Sequence, residues 1–171
     1  MKQKFKIFSF CLLSVAFIGC DRFTKNLAKD HLRDKEVISY LHDTVRLEYV
    51  ENTGAALNLG DNLSRPLSFW LLSILPLVCL LLLAVYAIRN SEKMRLPKLL
   101  FISAIVAGGI GNIIDRLLFD RHVTDFMNIG ISHFRTGIFN VADVCVTIGA
   151  IGLVMFNWNT TEKKPHILQN L

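Results

Sequence analysis

Hydrophobic residues in this chain gather into four long blocks, at approximately 7–27, 66–88, 97–119 and 138–158. None of the blocks alternates. A helix rising about 1.5 Å per residue needs about 20 residues to cross a hydrocarbon core roughly 30 Å thick. Barrel strands are about half that length and alternate strictly. The pattern therefore predicts four transmembrane helices. Pro66 and Pro97 stand where the second and third helices begin, a position at which the missing N–H is harmless. Pro76 falls inside the second block and predicts a kink there.

Between the first two blocks, 28–65 is the one connection long enough for an extramembrane unit. Val45, Leu47 and Tyr49 alternate with polar neighbours, which predicts a short strand or two at the membrane surface. Asn52 and Gly54 favour a turn after it, while Ala55 and Ala56 permit close packing, and a short interfacial helix is expected around 57–67. The connection "RNSEKMRLP" is short, so the second and third helices should be antiparallel neighbours. The stretch "LFDRHVTDFMNIGISHFRTG" between the third and fourth is expected to be a loop or short strand near the interface.

Charge orients this arrangement. Lys2, Lys4 and Lys6 precede the first block, and Arg89, Lys93, Arg95 and Lys98 separate the second from the third. Lys163 and Lys164 follow the fourth. Those three segments lie on one side and are basic, as cytoplasmic flanks are. The 28–65 connection is mixed in sign, with seven acidic residues against five basic ones, which fits the outer side. Both termini should be cytoplasmic.

Composition agrees: 52% of the 171 residues are hydrophobic and 19% charged. The net charge of +5 lies in the flanks rather than in a basic, aromatic soluble surface, so no nucleic-acid partner is expected. Cys11, Cys20, Cys79 and Cys145 all sit in apolar blocks, without disulfide or zinc spacing. The start, "MKQKFKIFSFCLLSVAFIGC", also looks like a lipoprotein signal ending in Ile-Gly-Cys. Because three further blocks follow, it is read as the first helix.

The polar residues within these blocks need a reason. Asp21, Thr24 and Lys25 share a face at the outer end of the first helix. Asn112, Asp115 and Arg116 follow Gly108 at offsets of four, seven and eight, on one broad face of the third helix. Ala104 and Gly108 narrow that face for another helix. Asp115 can pair with Arg116 or Lys25, either as a stabilising network or in a chemical role. Asn140, Asp143 and Thr147 form a polar stripe on the fourth helix, with Asp143 one to two turns below the outer surface.

Asp125, just past the third helix, can occupy the same depth as Asp143. Two carboxylates at close range cannot both ionise freely, so one keeps a proton while the other acts as a base. That is the chemistry of an aspartic peptide hydrolase. Three alternatives remain open on the residues alone. One is an ion-pair network with Arg116 and Arg121. The second is a metal-dependent lipid head-group transferase using Asp115, Asp120, Asp125 and Asp143. The third is a non-enzymatic scaffold or transporter. Serine and cysteine mechanisms lack a motif: there is no G-x-S-x-G, and no nucleophile stands at motif spacing from His31, His42, His122 or His133.

Taken in order, "CDRFTK", "ENTGAAL", "GGIGNIIDR", "VTDF" and "FNVADVCVTIG" resemble the five blocks of the bacterial lipoprotein signal peptidase (signal peptidase II) family, over essentially the whole chain. Arg22 stands where the family usually has glutamine, and Thr124 replaces its commoner valine. The resemblance implies Asp125 and Asp143 as the catalytic pair. Asn52, Gly54, Asn112, Arg116 and Asn140 would hold substrate or shape the site, with Asp21, Lys25, Gly108 and Asp115 as structural support. It implies an all-α membrane protein of four transmembrane helices, with 28–65 forming a small extracytoplasmic β-rich cradle and an interfacial helix. The expected substrate is a diacylglyceryl-modified prolipoprotein within a lipid bilayer, cut before its lipidated cysteine. No cofactor or metal is expected, and the enzyme should act as a monomer in the bacterial inner membrane, with its site near the outer face.

Overall fold

The computed structural model describes residues 2–54 and 63–161. Its helices are α1 (Lys2–Leu32), α2 (Arg65–Phe69), α3 (Leu75–Arg89), α4 (Leu96–Leu118) and α5 (Val141–Thr161). The strands are β1 (Ile38–Tyr40), β2 (Val45–Asn52), β3 (Val123–Ile131) and β4 (Phe134–Arg135). The interfacial helix expected at 57–67 lies largely, and the Ala55–Ala56 pair wholly, outside the described residues.

A π-helical turn, Trp70–Ile74, joins α2 to α3, so Arg65–Arg89 is one continuous apolar helix. Pro76, where a kink is expected from the sequence, stands two residues past this turn. Proline supplies no N–H to the preceding turn, and a widened turn accommodates the gap. Pro66 and Pro97 both stand in first helical turns. α1, Arg65–Arg89 and α4 are each long and apolar enough to cross a membrane, and α5 carries a shorter apolar stretch, Val141–Phe156.

α4 lies against α1, α3 and α5 at the centre. Half of its most apolar window is buried, against 11% for α1 and for Arg65–Arg89. The outer helices therefore turn their apolar side chains outward, as with Phe5, Phe8, Leu12 and Val15 along one stripe of α1. Such a surface would be costly in water and is ordinary against lipid chains. α4 and α5 approach closely because Gly108 has no side chain: a Cβ there would run into the Ala142 carbonyl and stand 2.9 Å from Val146 Cγ2. At the basic end, Lys6 Nζ donates to the carbonyls of Ser91, Glu92 and Met94 at 3.1, 3.0 and 2.6 Å, fastening the short connection to α1.

The sheet is antiparallel in the order β1-β2-β3-β4. Half of it comes from a segment expected to be a loop or short strand, since β3 runs nine residues and pairs with β2. The protein is mostly helical with a small antiparallel sheet, of which β1 and β2 fall in the 28–65 connection expected to be β-rich while β3 and β4 come from outside it. Leu41, His42 and Asp43 turn the β1–β2 hairpin with positive φ of 52°, 53° and 66°. Asp43 offsets that strain by accepting from Ser39 Oγ at 2.7 Å and from Arg46 at 2.7 and 2.5 Å.

Candidate active site

α4 divides its polar face between two clusters. Asp115 turns toward α1, where Arg22 donates to one of its oxygens and Lys25 Nζ lies 2.9 Å from the other. Lys25 also reaches Asp21 at 2.8 Å and the Asn112 side-chain oxygen at 3.0 Å, so its three N–H donors meet three acceptors. Asp21, Lys25 and Asp115 are at most 2% exposed. Two carboxylates and two cations cancel inside the bundle. Asp115 does not pair with Arg116, contrary to one expectation, because the two side chains leave the helix in different directions. The Asp21 carboxylate also accepts the Ala142 N–H at 2.9 Å, which ties this cluster to the start of α5.

Asn112 and Arg116 face a different space. With Asn52, Asp125 and Asp143 they line a cleft of about 630 Å³ whose further wall is Val123, residues 136–139 and the first turns of α5. Asp125 arrives on β3, and Asp143 in the first turn of α5. The fourth helix begins later than the sequence pattern suggests, so Asp143 belongs to its first turn rather than one to two turns below the surface.

A reciprocal capping box fixes Asp143. Asn140 Oδ1 accepts the Asp143 N–H, and Asp143 Oδ2 accepts the Asn140 N–H, both at 3.0 Å. What reads in sequence as a polar stripe is thus a helix cap. N-x-x-D before an apolar run was the available signal. The same Asn140 connects the carboxylates: its Nδ2 donates to Asp125 at 2.7 Å and to Asn112 Oδ1 at 3.1 Å, while Asn112 Nδ2 donates to Asp143 at 2.8 Å. Asn52 Nδ2 donates to the other Asp125 oxygen at 3.1 Å, and Asn52 Oδ1 receives the Gly54 N–H at 2.9 Å. Arg116 donates to the Gly54 carbonyl at 2.8 Å.

Neither Asp125 nor Asp143 forms an ion pair among the described residues. The network with Arg116 and Arg121 considered from sequence is therefore absent there. Asp120 is exposed and pairs with Arg65, and no group of three metal-holding side chains occurs among the described residues. Burial above all, then the neighbouring Asp143 charge, pushes the Asp125 carboxyl up to about 6, against the amides of Asn52 and Asn140 and the charge of Lys25. Two carboxylates linked through the side chains of Asn140 and Asn112, one of them shifted toward its neutral form, can hold a single proton between a base and an acid.

The family described as Signal peptidase (SPase) II matches residues 13–159. The chain belongs to the signal peptidase II family. It is 36% identical over 167 residues to the lipoprotein signal peptidase of Chlorobaculum tepidum, covering 91% of this chain and 97% of that one. To the lipoprotein signal peptidase of Treponema denticola it is 34% identical over 148 residues, covering 83% and 84%. Among solved structures, a bacterial membrane enzyme determined by the in meso method at 2.3 Å matches with a TM-score of 0.79 at 26% identity, over 95% of this chain and 94% of that one. A second, at 1.9 Å, matches with a TM-score of 0.72 at 27% identity, over 92% and 94%. With its long apolar helices, the chain is an integral membrane protease of the signal peptidase II type.

Sequence reading missed two partners. Arg22 departs from the family pattern, but nothing in the sequence marks it as a ligand of Asp115. Residues 136–139 form a wall of the cleft that the sequence does not reveal, because nothing local in "TGIF" signals long-range pairing.

Proposed function

We propose that this protein removes signal peptides from diacylglyceryl-modified prolipoproteins by an aspartic mechanism, cutting just before the lipidated cysteine. The observation that carries the reading is the pair Asp125 and Asp143 in one cleft, joined through Asn140 and free of ion pairs among the described residues. Asp143, receiving N–H groups from Asn112 and Asn140, acts as the base. It takes a proton from water as the oxygen attacks the scissile carbonyl. Protonated Asp125 donates to that carbonyl oxygen, giving a neutral gem-diol. Collapse returns the hydroxyl proton to Asp125 while Asp143 protonates the departing amine, restoring the starting pair. No step calls for a metal or cofactor.

Asn52, Gly54, Asn112, Arg116 and Asn140 shape the site and contact the peptide, and Asp21, Lys25, Gly108 and Asp115 hold the scaffold. The chain crosses the bacterial inner membrane four times, with both termini cytoplasmic. The sheet forms part of an extracytoplasmic cradle. A substrate anchored by its lipid searches in two dimensions, and a cleft where helices meet sheet encounters the bond as the peptide leaves the bilayer. The protein acts as a monomer on lipid-embedded substrate.

The deciding assay uses purified protein in detergent with a lipidated precursor, scored by product mass. Release of the signal peptide, unaffected by chelators and by thiol or serine reagents, is the expected result. Loss on chelation with recovery on adding metal would instead establish a metal-dependent transferase or hydrolase. Cysteine labelling should place residue 93 inside and residues 43 and 130 outside; finding 130 inside would separate Asp125 from Asp143.

A further inference from the structure

β4 does not end at Arg135 in effect, for the chain continues extended beside β3. The Thr136 N–H donates to the Ile129 carbonyl at 2.8 Å, and Phe139 and Met127 exchange backbone hydrogen bonds of 2.8 and 2.9 Å. Gly130 faces Arg135 and Met127 faces Phe139. Across that interval two residues of β3, Asn128 and Ile129, oppose three: Thr136, Gly137 and Ile138. The segment is therefore bulged. Asn128 Nδ2 occupies the Thr136 carbonyl at 2.7 Å. Gly137 and Ile138 make no hydrogen bond among the described residues. Both are partly exposed and line the cleft that holds Asp125 and Asp143.

We propose that this bulged edge binds the main chain of the substrate beside the scissile bond, as an added strand. The inference rests on the reading of the cleft as a peptidase site and names how that site holds its peptide. A strand edge with free N–H and C=O groups is a template for another extended chain. Main-chain hydrogen bonds then supply affinity independent of side-chain identity, and neighbouring pockets supply selectivity. Bulges beside active sites take backbone out of a ladder and re-aim it, which is what Gly137 and Ile138 undergo. Gly137 also lacks the Cβ that would keep a second backbone at a distance. A peptide held here lies extended along the wall facing Asn112 and Arg116, with its amide plane fixed relative to both carboxylates. An enzyme that must accept many precursors sharing little but a lipidated cysteine gains from recognition that ignores most side chains.

The test uses the full-length protein in detergent and a lipidated precursor peptide, with a series in which single backbone amides flanking the cleaved bond are replaced by esters. Each ester removes one N–H donor and weakens one carbonyl acceptor while leaving side chains intact. One or two positions should lose about tenfold in kcat/KM, chiefly through KM, the size expected for a single hydrogen bond. Ile138→Pro deletes the edge donor, should weaken the all-amide precursor by a similar factor, and should make the ester at the facing position nearly silent. Ile138→Val keeps the donor and should reproduce the ester profile of the parent protein, with the same positions sensitive. A flat ester series, with the all-amide precursor still cleaved, overturns the added strand and leaves the peptidase reading standing. Failure to cleave the all-amide precursor overturns both.

Discussion

Two polar clusters lie side by side in this bundle, and they treat carboxylates in opposite ways. Between α1 and α4, Asp21 and Asp115 face Arg22 and Lys25, charge cancels charge, and little of the set except Arg22 meets solvent. Across α4, Asp125 and Asp143 face asparagine amides and backbone N–H groups, with a cleft opening onto them. Buried ions that are fully paired lock helices together and resist change. Carboxylates held by neutral donors keep the freedom to exchange a proton. Partner type, more than burial, separates the two clusters, since Asp125 is itself only 3% exposed.

The largest effect that tests this contrast is on the open side. Asp125→Asn and Asp143→Asn should each cut turnover of a lipidated precursor by about 10² to 10⁴, with thermal stability and precursor binding retained. The double variant should be little worse than either single one, because the pair works as a unit. Residual activity within about tenfold of the parent in one single variant would remove that residue from the chemistry.

On the closed side the same chemical change should act on folding. Asp115→Asn leaves Arg22 and Lys25 short of a counter-charge, a loss of about 3–5 kcal/mol when a buried pair is broken. Folded yield and melting temperature in detergent should drop, with activity following the folded fraction. A well-folded but inactive Asp115→Asn protein would place Asp115 in the chemistry and erase the contrast.

Asn112 touches both clusters, taking a donor from Lys25 and giving one to Asp143. Asn112→Ala should lower kcat by about 10- to 100-fold, the range for losing hydrogen bonds to charged groups. A change confined to melting temperature would mean that the bridge serves only the scaffold.

The smallest effect is a pH dependence of stability. Asp125 rises from an ordinary 3.8 to about 6 in the fold, so the folded state binds the proton more tightly than the unfolded chain. Its ionisation therefore costs the fold stability as pH rises from about 3.8 through about 6, and acidification through that window restores it. Between pH 7.5 and 5 the gain should be about 1 kcal/mol, read as a rise in melting temperature that Asp125→Asn diminishes. An identical rise in that variant would assign the proton elsewhere.

Sequence alone carried a good deal of this. Long non-alternating apolar runs set the helices, because spanning lipid requires every backbone group to be satisfied within its own segment, and that requirement is local. Prolines at 66 and 97 marked helix starts for the same reason. The five motifs in order pointed to the family, since residue type and spacing are written in one dimension. Tertiary structure decided what those residues meet. Asp125 is brought to the start of α5 because β3 pairs with β2, a contact between segments roughly seventy to eighty-five residues apart that no periodicity encodes. Arg22 became a ligand of Asp115 because helix crossing places them together across 93 positions. Asn140 proved to be a cap as well as a bridge, since its amide can serve Asp125 only after α5 has docked against Gly108. Apolar periodicity specifies each helix separately; hydrogen-bond partners across elements exist only once the packing fixes distances to within a few tenths of an ångström.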